Sequence, residues 1–196
     1  MNKRVILITG TPCTGKTTVA KQLTTRLDAL YINLTELAKT HSLTIGEDKT
    51  RNTTIVDEEE MRKKTAKTID GTEKTTVIVD GHYAAAVVPK RYVTYVFVLR
   101  RNPIELRKFM EKRGFSDAKL RENLASEILD VCLIEALQEQ ETERVCELDI
   151  TGKIVDAVVN QIIAVLNQKK PCSVGNVDWL GMLEKEGLLD DYLTIT

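Results

Sequence analysis

Residues Gly10-Thr11-Pro12-Cys13-Thr14-Gly15-Lys16-Thr17 constrain this chain more than any other stretch. Two glycines five positions apart are followed at once by a lysine and a hydroxyl residue. Just before them, Val5-Ile6-Leu7-Ile8 has the length and composition of a buried parallel strand. Just after them, Val19, Ala20, Leu23 and Leu27 fall on one face of a helix. Strand, glycine loop and helix in that order make a phosphate-binding loop. Backbone N–H groups of the loop and first helical turn, from Cys13 through Gly15, Lys16, Thr17 and Thr18, converge on phosphate oxygens. Gly10 and Gly15 permit backbone angles that a side chain would obstruct. Lys16 sets a positive charge against the β and γ phosphates of a nucleotide such as ATP, and the Thr17 hydroxyl can ligate Mg²⁺.

A chain of 196 residues is long enough for one α/β domain with small inserts. With 28 basic and 29 acidic residues well mixed, net charge −1, it makes no general case for nucleic-acid binding. Cys13, Cys132, Cys146 and Cys172 form no CxxC pair. That spacing leads us to expect neither a metal cluster nor a disulfide, and hence a reducing cytoplasm. The opening Met1-Asn2-Lys3-Arg4 and its apolar run are too short for a signal peptide and lead directly into the loop. No stretch approaches a membrane span.

Helical and strand patterns then alternate. Tyr31-Ile32-Asn33 is a short strand, and Thr35 is placed to cap a helix through Lys39. Residues 40–54 are polar and read as irregular. Asp57 to Glu60 open a helix at the end where acids suit its dipole. Strands are expected at Thr76–Val79, Tyr92–Leu99 and Arg144–Ile150. Helices are expected from Pro103 to Gly114, as one long element from Asp117 to Glu141, and from Ile154 to Leu166. This rhythm predicts an α/β fold, a parallel sheet with helices on both faces.

In such sheets ligands gather at the C-terminal ends of strands. Val77-Ile78-Val79-Asp80 ends there, in the pattern of an acid that fixes Mg²⁺ beside the phosphates. The bland alternative is a turn acid before Gly81. His82, two residues on, can orient water or accept a proton, or can be a histidine satisfied by a backbone carbonyl. Arg100, Arg101, Arg107, Lys108, Lys112 and Arg113 make the next segment basic. They form either a solvated helix face or a source of one or two phosphate ligands. Trp179, Leu180, Leu183, Leu188, Leu189 and Tyr192 give the last segment an apolar side. Packing on the domain is the preferred reading, and a partner-binding element is its rival.

The loop Gly10–Thr18, Tyr31-Ile32-Asn33, Val79-Asp80-Gly81-His82, Val96-Phe97-Val98-Leu99-Arg100 and Arg113-Gly114-Phe115 resemble, taken together, the adenylate kinase isoenzyme 6 family, and its archaeal members in particular. This is also described as the coilin-interacting nuclear ATPase and ribosome-assembly family. The resemblance continues through Arg121-Glu122-Asn123, Glu127-Ile128 and Glu135-Ala136, covering about residues 1–165. It implies a P-loop nucleoside-monophosphate-kinase-like domain over 1–168, with residues 33–56 as the monophosphate-binding arm, 112–122 as the lid and 169–196 as a C-terminal tail. It implies Mg·ATP bound by the loop and γ-phosphoryl transfer to AMP. Arg113 matches the lid arginine that touches ATP, and Asp80 and His82 match a pair linked to ATPase action. It further implies binding to a small-subunit ribosomal protein and a part in pre-ribosomal particle maturation. Cys13 stands where the family usually has Gly or Ala. Phe109 stands where it often has Arg, so either Arg107 or Lys108 substitutes or the lid carries one less charge.

Three functions compete on these residues: an adenylate kinase with accompanying ATPase activity, an ATP-driven ribosome assembly factor with weak kinase activity, and a small-metabolite kinase on the same fold.

Overall fold

The computed structural model describes residues 3–48 and 53–193. Its elements run β1 (Arg4–Thr9), α1 (Lys16–Leu27), β2 (Leu30–Asn33), α2 (Leu34–Thr40), β3 (Thr44–Asp48), β4 (Thr53–Val56), α3 (Glu58–Gly71), β5 (Thr76–Asp80) and α4 (Ala84–Val87). They continue with β6 (Val93–Arg100), α5 (Pro103–Lys112), α6 (Asp117–Ile128), α7 (Val131–Glu139), β7 (Val145–Asp149), α8 (Val155–Leu166), α9 (Trp179–Lys185) and α10 (Leu189–Tyr192).

The main sheet has the order β2-β5-β1-β6-β7 and is parallel throughout. Successive side chains of a strand face opposite ways, so β1 feeds two cores. Val5 and Leu7 join Leu34, Met61, Ile69 and Ala136 on one face. Ile6 and Ile8 join Leu23, Phe97, Val159 and Ile162 on the other. Every residue of β5 is buried, as a strand covered on both faces requires. A third apolar cluster lies between α5 and α6, with Leu106, Met110, Leu120, Leu124 and Ile128, and is closed by Trp179 and Leu183 of the tail. The preferred reading of the tail as a packed segment therefore holds for its described part.

Several expectations need correction. Residues 44–48 and 53–56 are paired as an antiparallel ribbon rather than irregular chain, and 49–52 lie outside the described residues. Asn33, not Thr35, caps α2, accepting from the Glu36 N–H at 3.0 Å. The long helix expected from Asp117 to Glu141 is two helices. Asp130 takes a left-handed conformation, φ 58°, and its carboxylate pairs with Arg100, which turns the chain there. A continuous apolar stripe cannot register one residue drawn out of the helix by a distant cation.

The expected absence of disulfides also fails. Cys146 of β7 and Cys172 of the tail are bonded, 26 residues apart in sequence, while Cys13 and Cys132 are free. The tail returns along β7, where the Glu147 N–H donates to Ser173 O at 2.8 Å, and this brings the two sulfurs together. Spacing alone carries no trace of that return path. The inference of a reducing compartment loses its footing with it. No helix among the described residues is long and apolar enough to cross a membrane.

Candidate functional site

The loop after β1 is shaped by backbone needs that its sequence meets. Gly10 has φ 133°, and a Cβ there would lie 2.4 Å from Leu99 O in β6, so only glycine allows this approach. Gly15, φ 99°, caps α1. Cys13 also sits at positive φ, 70°, where a side chain is tolerated at some cost. The loop is tied inward at one carbonyl. Thr11 O accepts from the Thr14 hydroxyl at 2.9 Å and from Lys16 Nζ at 2.8 Å. Burial pushes the Lys16 ammonium below the usual lysine range, opposed by Cys132, Asp80 and Glu127. An anion in the loop would restore its preference for the charged form. Thr18 donates its N–H to Gly15 O at 3.1 Å and keeps its side chain exposed at the helix start.

Asp80 ends β5, next to β1, and is buried. Its Oδ2 accepts from Thr17 Oγ1 at 2.7 Å, Tyr31 Oη at 2.8 Å and Asn33 Nδ2 at 2.9 Å. The turn-acid alternative is set aside, since the carboxylate points at the loop helix. Tyr31 is pushed up to about 12, first by burial and, after the opposing bond from Asn33, by Asp80. Sequence gives Tyr31 and Asn33 as a short strand and as part of a resemblance, without a task; the pairing β2–β5 is what aims both at Asp80.

His82 follows, with its backbone O accepting from Thr9 Oγ1 at 2.9 Å and its ring edge-on to Tyr83. Crowding at the cavity mouth holds its pKa below the usual histidine value, and Lys16 and Lys119 add to this. A neutral ring at pH 7 follows.

The basic segment divides. Arg100 is fully buried among Glu127, Asp130 and Glu147, so it is a structural cation and not a phosphate ligand. Arg101 pairs with Glu105, lies over the Phe109 ring at 4.9 Å and reaches Thr14 O at 3.4 Å. Arg107 pairs with Glu111 and lies over Tyr192, away from the loop. The charge beside Phe109 thus comes from Arg101, and Arg107, one of the two substitutes considered, is engaged elsewhere. Arg113 closes α5, and its Nη1 lies 3.7 Å from Cys13 Sγ, against the phosphate loop.

Glu127 is the site residue that sequence reasoning named without assigning a task. It is buried in α6. Its Oε2 accepts from the Thr11 hydroxyl, and its Oε1 from Arg100 Nε and the Arg101 N–H, both at 3.0 Å, and from Trp179 Nε1 at 3.1 Å.

Beside the loop lies a cavity of about 390 Å³, bounded by Thr11, Pro12, Ala38, Lys39, His82, Lys119 and Glu135 among others. In it Glu135 is pushed up to about 7 by burial and by the neighbouring Glu58 and Glu139. Burial likewise raises the Cys132 thiol to about 11, leaving it inert. A larger depression, about 700 Å³, opens at the other ends of the strands, around Lys3, Arg4, Arg91 and Arg144. None of the phosphate-loop residues lines it, so size does not make it the reactive site.

Thr17 and Asp80 offer hard oxygen donors 2.7 Å apart at the loop helix. That donor set suits Mg²⁺, which prefers a carboxylate, a hydroxyl and phosphate oxygens. Among the described residues no group of three acidic, histidine or cysteine side chains could hold a metal alone. The fit is that of a cation brought in with a nucleotide.

Comparison with known proteins agrees with this geometry. A family profile described as "AAA domain" matches residues 6–130. A curated protein of Methanocaldococcus jannaschii named "Putative adenylate kinase" is 38% identical over 190 residues, 97% of each chain. Proteins of that name from Pyrococcus furiosus (38%, covering 92% of this chain and 94% of the relative) and Methanococcus maripaludis (34%, 90% and 95%) match similarly. Among solved structures, a gluconokinase from Sinorhizobium meliloti has TM-score 0.54 at 13% identity, covering 86% of this chain and 94% of its own. Thymidylate kinase from Candida albicans has TM-score 0.53 at 15%, covering 90% and 96%. At such identities these two show the fold alone, a P-loop kinase fold.

Proposed function

The chain belongs to the family of those archaeal relatives named "Putative adenylate kinase", and on that premise we propose that it transfers the γ-phosphoryl group of Mg·ATP to AMP, giving two ADP. One observation carries the reading: the cavity of about 390 Å³ abuts the phosphate loop at Thr11 and Pro12 and bears Lys39 and Lys119. It is a nucleotide-sized space whose wall carries Lys39 and Lys119 together with Glu122 and Glu135, and its position beside the loop supports an acceptor site there.

In this reading Lys16 leaves Thr11 O and binds the β and γ phosphates, while the loop N–H groups from Cys13 to Thr18 hold the rest. Thr17 and Asp80 hold Mg²⁺, which when bound neutralises charge developing on the phosphates. Tyr31 and Asn33 fix the rotamer of Asp80, so its carboxylate is aimed before substrate arrives. Arg113, against Cys13, steadies charge on the transferring group from the segment 112–122, which acts as lid. Residues 33–56 form the arm on the AMP side, supported by Ala38, Lys39, Thr44 and Val56 in the cavity wall. AMP brings an ionised phosphate and needs positioning rather than a base.

ATP hydrolysis accompanies transfer when water takes the acceptor's place. The position of His82 on the cavity wall supports this, since its ring can orient water there. The further proposal, that the turnover serves maturation of small ribosomal subunits through a ribosomal protein, is supported by the family resemblance. A small-metabolite kinase is the reading that the acceptor test excludes or installs. ATP is incubated with AMP, dTMP, shikimate or gluconate at equal concentration, and acceptor-dependent ADP is measured. AMP should give the fastest rate; a faster rate with another acceptor would overturn the proposal.

A further inference from the structure

The tail's path is not explained by packing alone. From α8 it crosses β7, where Cys172 is bonded to Cys146 and the Asn176 N–H donates to Glu147 Oε2 at 2.8 Å. Asp178 then caps α9, accepting from the Gly181 N–H at 2.8 Å. This delivers Trp179 into the cluster of α5 and α6, with its indole N–H 3.1 Å from Glu127 Oε1. The other oxygen of the same carboxylate holds the Thr11 hydroxyl. Thr11 O in turn receives Lys16 Nζ. A single carboxylate thus stands between the tail and the lysine of the phosphate loop.

We propose that Trp179 is a positioning residue for nucleotide binding: through Glu127 it fixes Thr11, whose carbonyl also holds the Thr14 hydroxyl at 2.9 Å, and so it fixes the shape of the loop that receives the phosphates. The inference rests on the reading of the loop as an ATP site. Three donors share Glu127 Oε1, the Arg100 Nε, the Arg101 N–H and the indole. The first two come from β6 and its end, and they hold the carboxylate to the sheet. Among the described residues the indole alone approaches from the tail, and together with Thr11 on the other oxygen it sets the remaining direction of the carboxylate. A buried indole N–H needs an acceptor, and here that acceptor is shared with the loop. Hydrogen bonds to a charged group are the stronger kind, so their loss is felt at the group's other contacts.

The test is Trp179→Phe, which keeps an aromatic ring in the cluster and removes the N–H. The dissociation constant of Mg·ATP is measured by calorimetry on the full chain, alongside the KM for AMP. The expected result is a rise of about three- to tenfold for ATP, part of the value of a hydrogen bond to a charged group, with KM for AMP within about twofold. Thr11→Val should weaken ATP binding too, and the double variant should be no worse than Thr11→Val alone, because both act through one carboxylate. Unchanged ATP affinity in Trp179→Phe, or losses that simply add, would overturn the inference and leave Trp179 a packing residue.

Trp179 is the sole tryptophan of the chain, which gives a second measurement on the unaltered protein. Its emission should change on Mg·ATP addition with the calorimetric saturation curve, and should not change with AMP alone. Emission that ignores ATP would count against the coupling even if Trp179→Phe did not fold. Absence of ATP binding by the wild-type protein would overturn the functional reading as well, and the same titration shows it before any variant is made.

Discussion

Arg100→Met tests the claim that the basic segment's first arginine is structural. In the native fold its guanidinium meets Glu127 at 3.0 Å, Glu147 at 2.6 Å and Asp130, and both glutamates are buried. Burial alone would lower the Arg100 pKa, yet Glu127 and Asp130 outweigh it and raise the value. Methionine fills much of the volume and removes the charge. Two carboxylates are then left in the interior. Glu127 retains Thr11, Arg101 N–H and Trp179 as donors, whereas Glu147 keeps only the Asn176 N–H among the bonds described. Breaking a buried pair from one side costs about 3–5 kcal/mol. A chain of 196 residues has an unfolding entropy near the midpoint of about 0.41 kcal/mol/K, so the midpoint should fall by about 7–12 °C. Calorimetric melting measures it, and Glu147→Gln added to the variant should recover part of the loss. A variant that melts like wild type but no longer binds ATP would refute the reasoning, and would return Arg100 to the role of phosphate ligand.

Other consequences are as definite. Glu135, raised to about 7, binds a proton in the folded state that it has given up when unfolded above its ordinary value, so stability falls as pH rises from about 4.5 to 7. Glu135→Gln should therefore raise the melting midpoint at pH 8 and change it little at pH 5; equal effects at both would deny the shift. Reduction of Cys146–Cys172 by a dithiol should cost about 3.5 kcal/mol for a 26-residue separation, and Cys172→Ser should melt like the reduced protein with or without reductant. A midpoint indifferent to reductant would mean that the bond does not staple the tail. His82→Ala should lower AMP-independent hydrolysis by about 10²-fold or more and lower ADP formation from ATP plus AMP by less. Equal losses would make His82 structural, and a larger loss of transfer would move it to the AMP side.

Much of this was legible in the sequence, for local reasons. The strand, loop and helix around Lys16 announce themselves because each needs only its own neighbours. Asp80 is found the same way, as an acid at the end of an apolar strand. The pairing of Thr17 with Asp80 follows once β1 and β5 are adjacent, with Ile8 opposite Asp80. What stayed hidden depends on residues far apart in the chain. The break at Asp130 is set by Arg100, 30 positions away. The disulfide depends on the tail's return along β7. Glu127 looks like one more helical acid until Thr11, Arg100, Arg101 and Trp179 are all seen to meet it. Basic residues misled most, because Arg100, Arg101, Arg107 and Arg113 look alike in sequence and have four different fates: buried in an ion cluster, set beside the loop with Glu105, paired on the surface with Glu111, and laid against Cys13.

The most direct measurement follows the phosphoryl group itself. ATP labelled at the γ phosphate is incubated with the protein, Mg²⁺ and AMP, and the label is located by thin-layer separation at early times. Transfer to AMP predicts label in the β phosphate of newly made ADP, with Lys16→Ala folded and nearly inactive. Label that goes to inorganic phosphate at the same rate with and without AMP would contradict the account, and would make the chain an ATPase on a kinase fold.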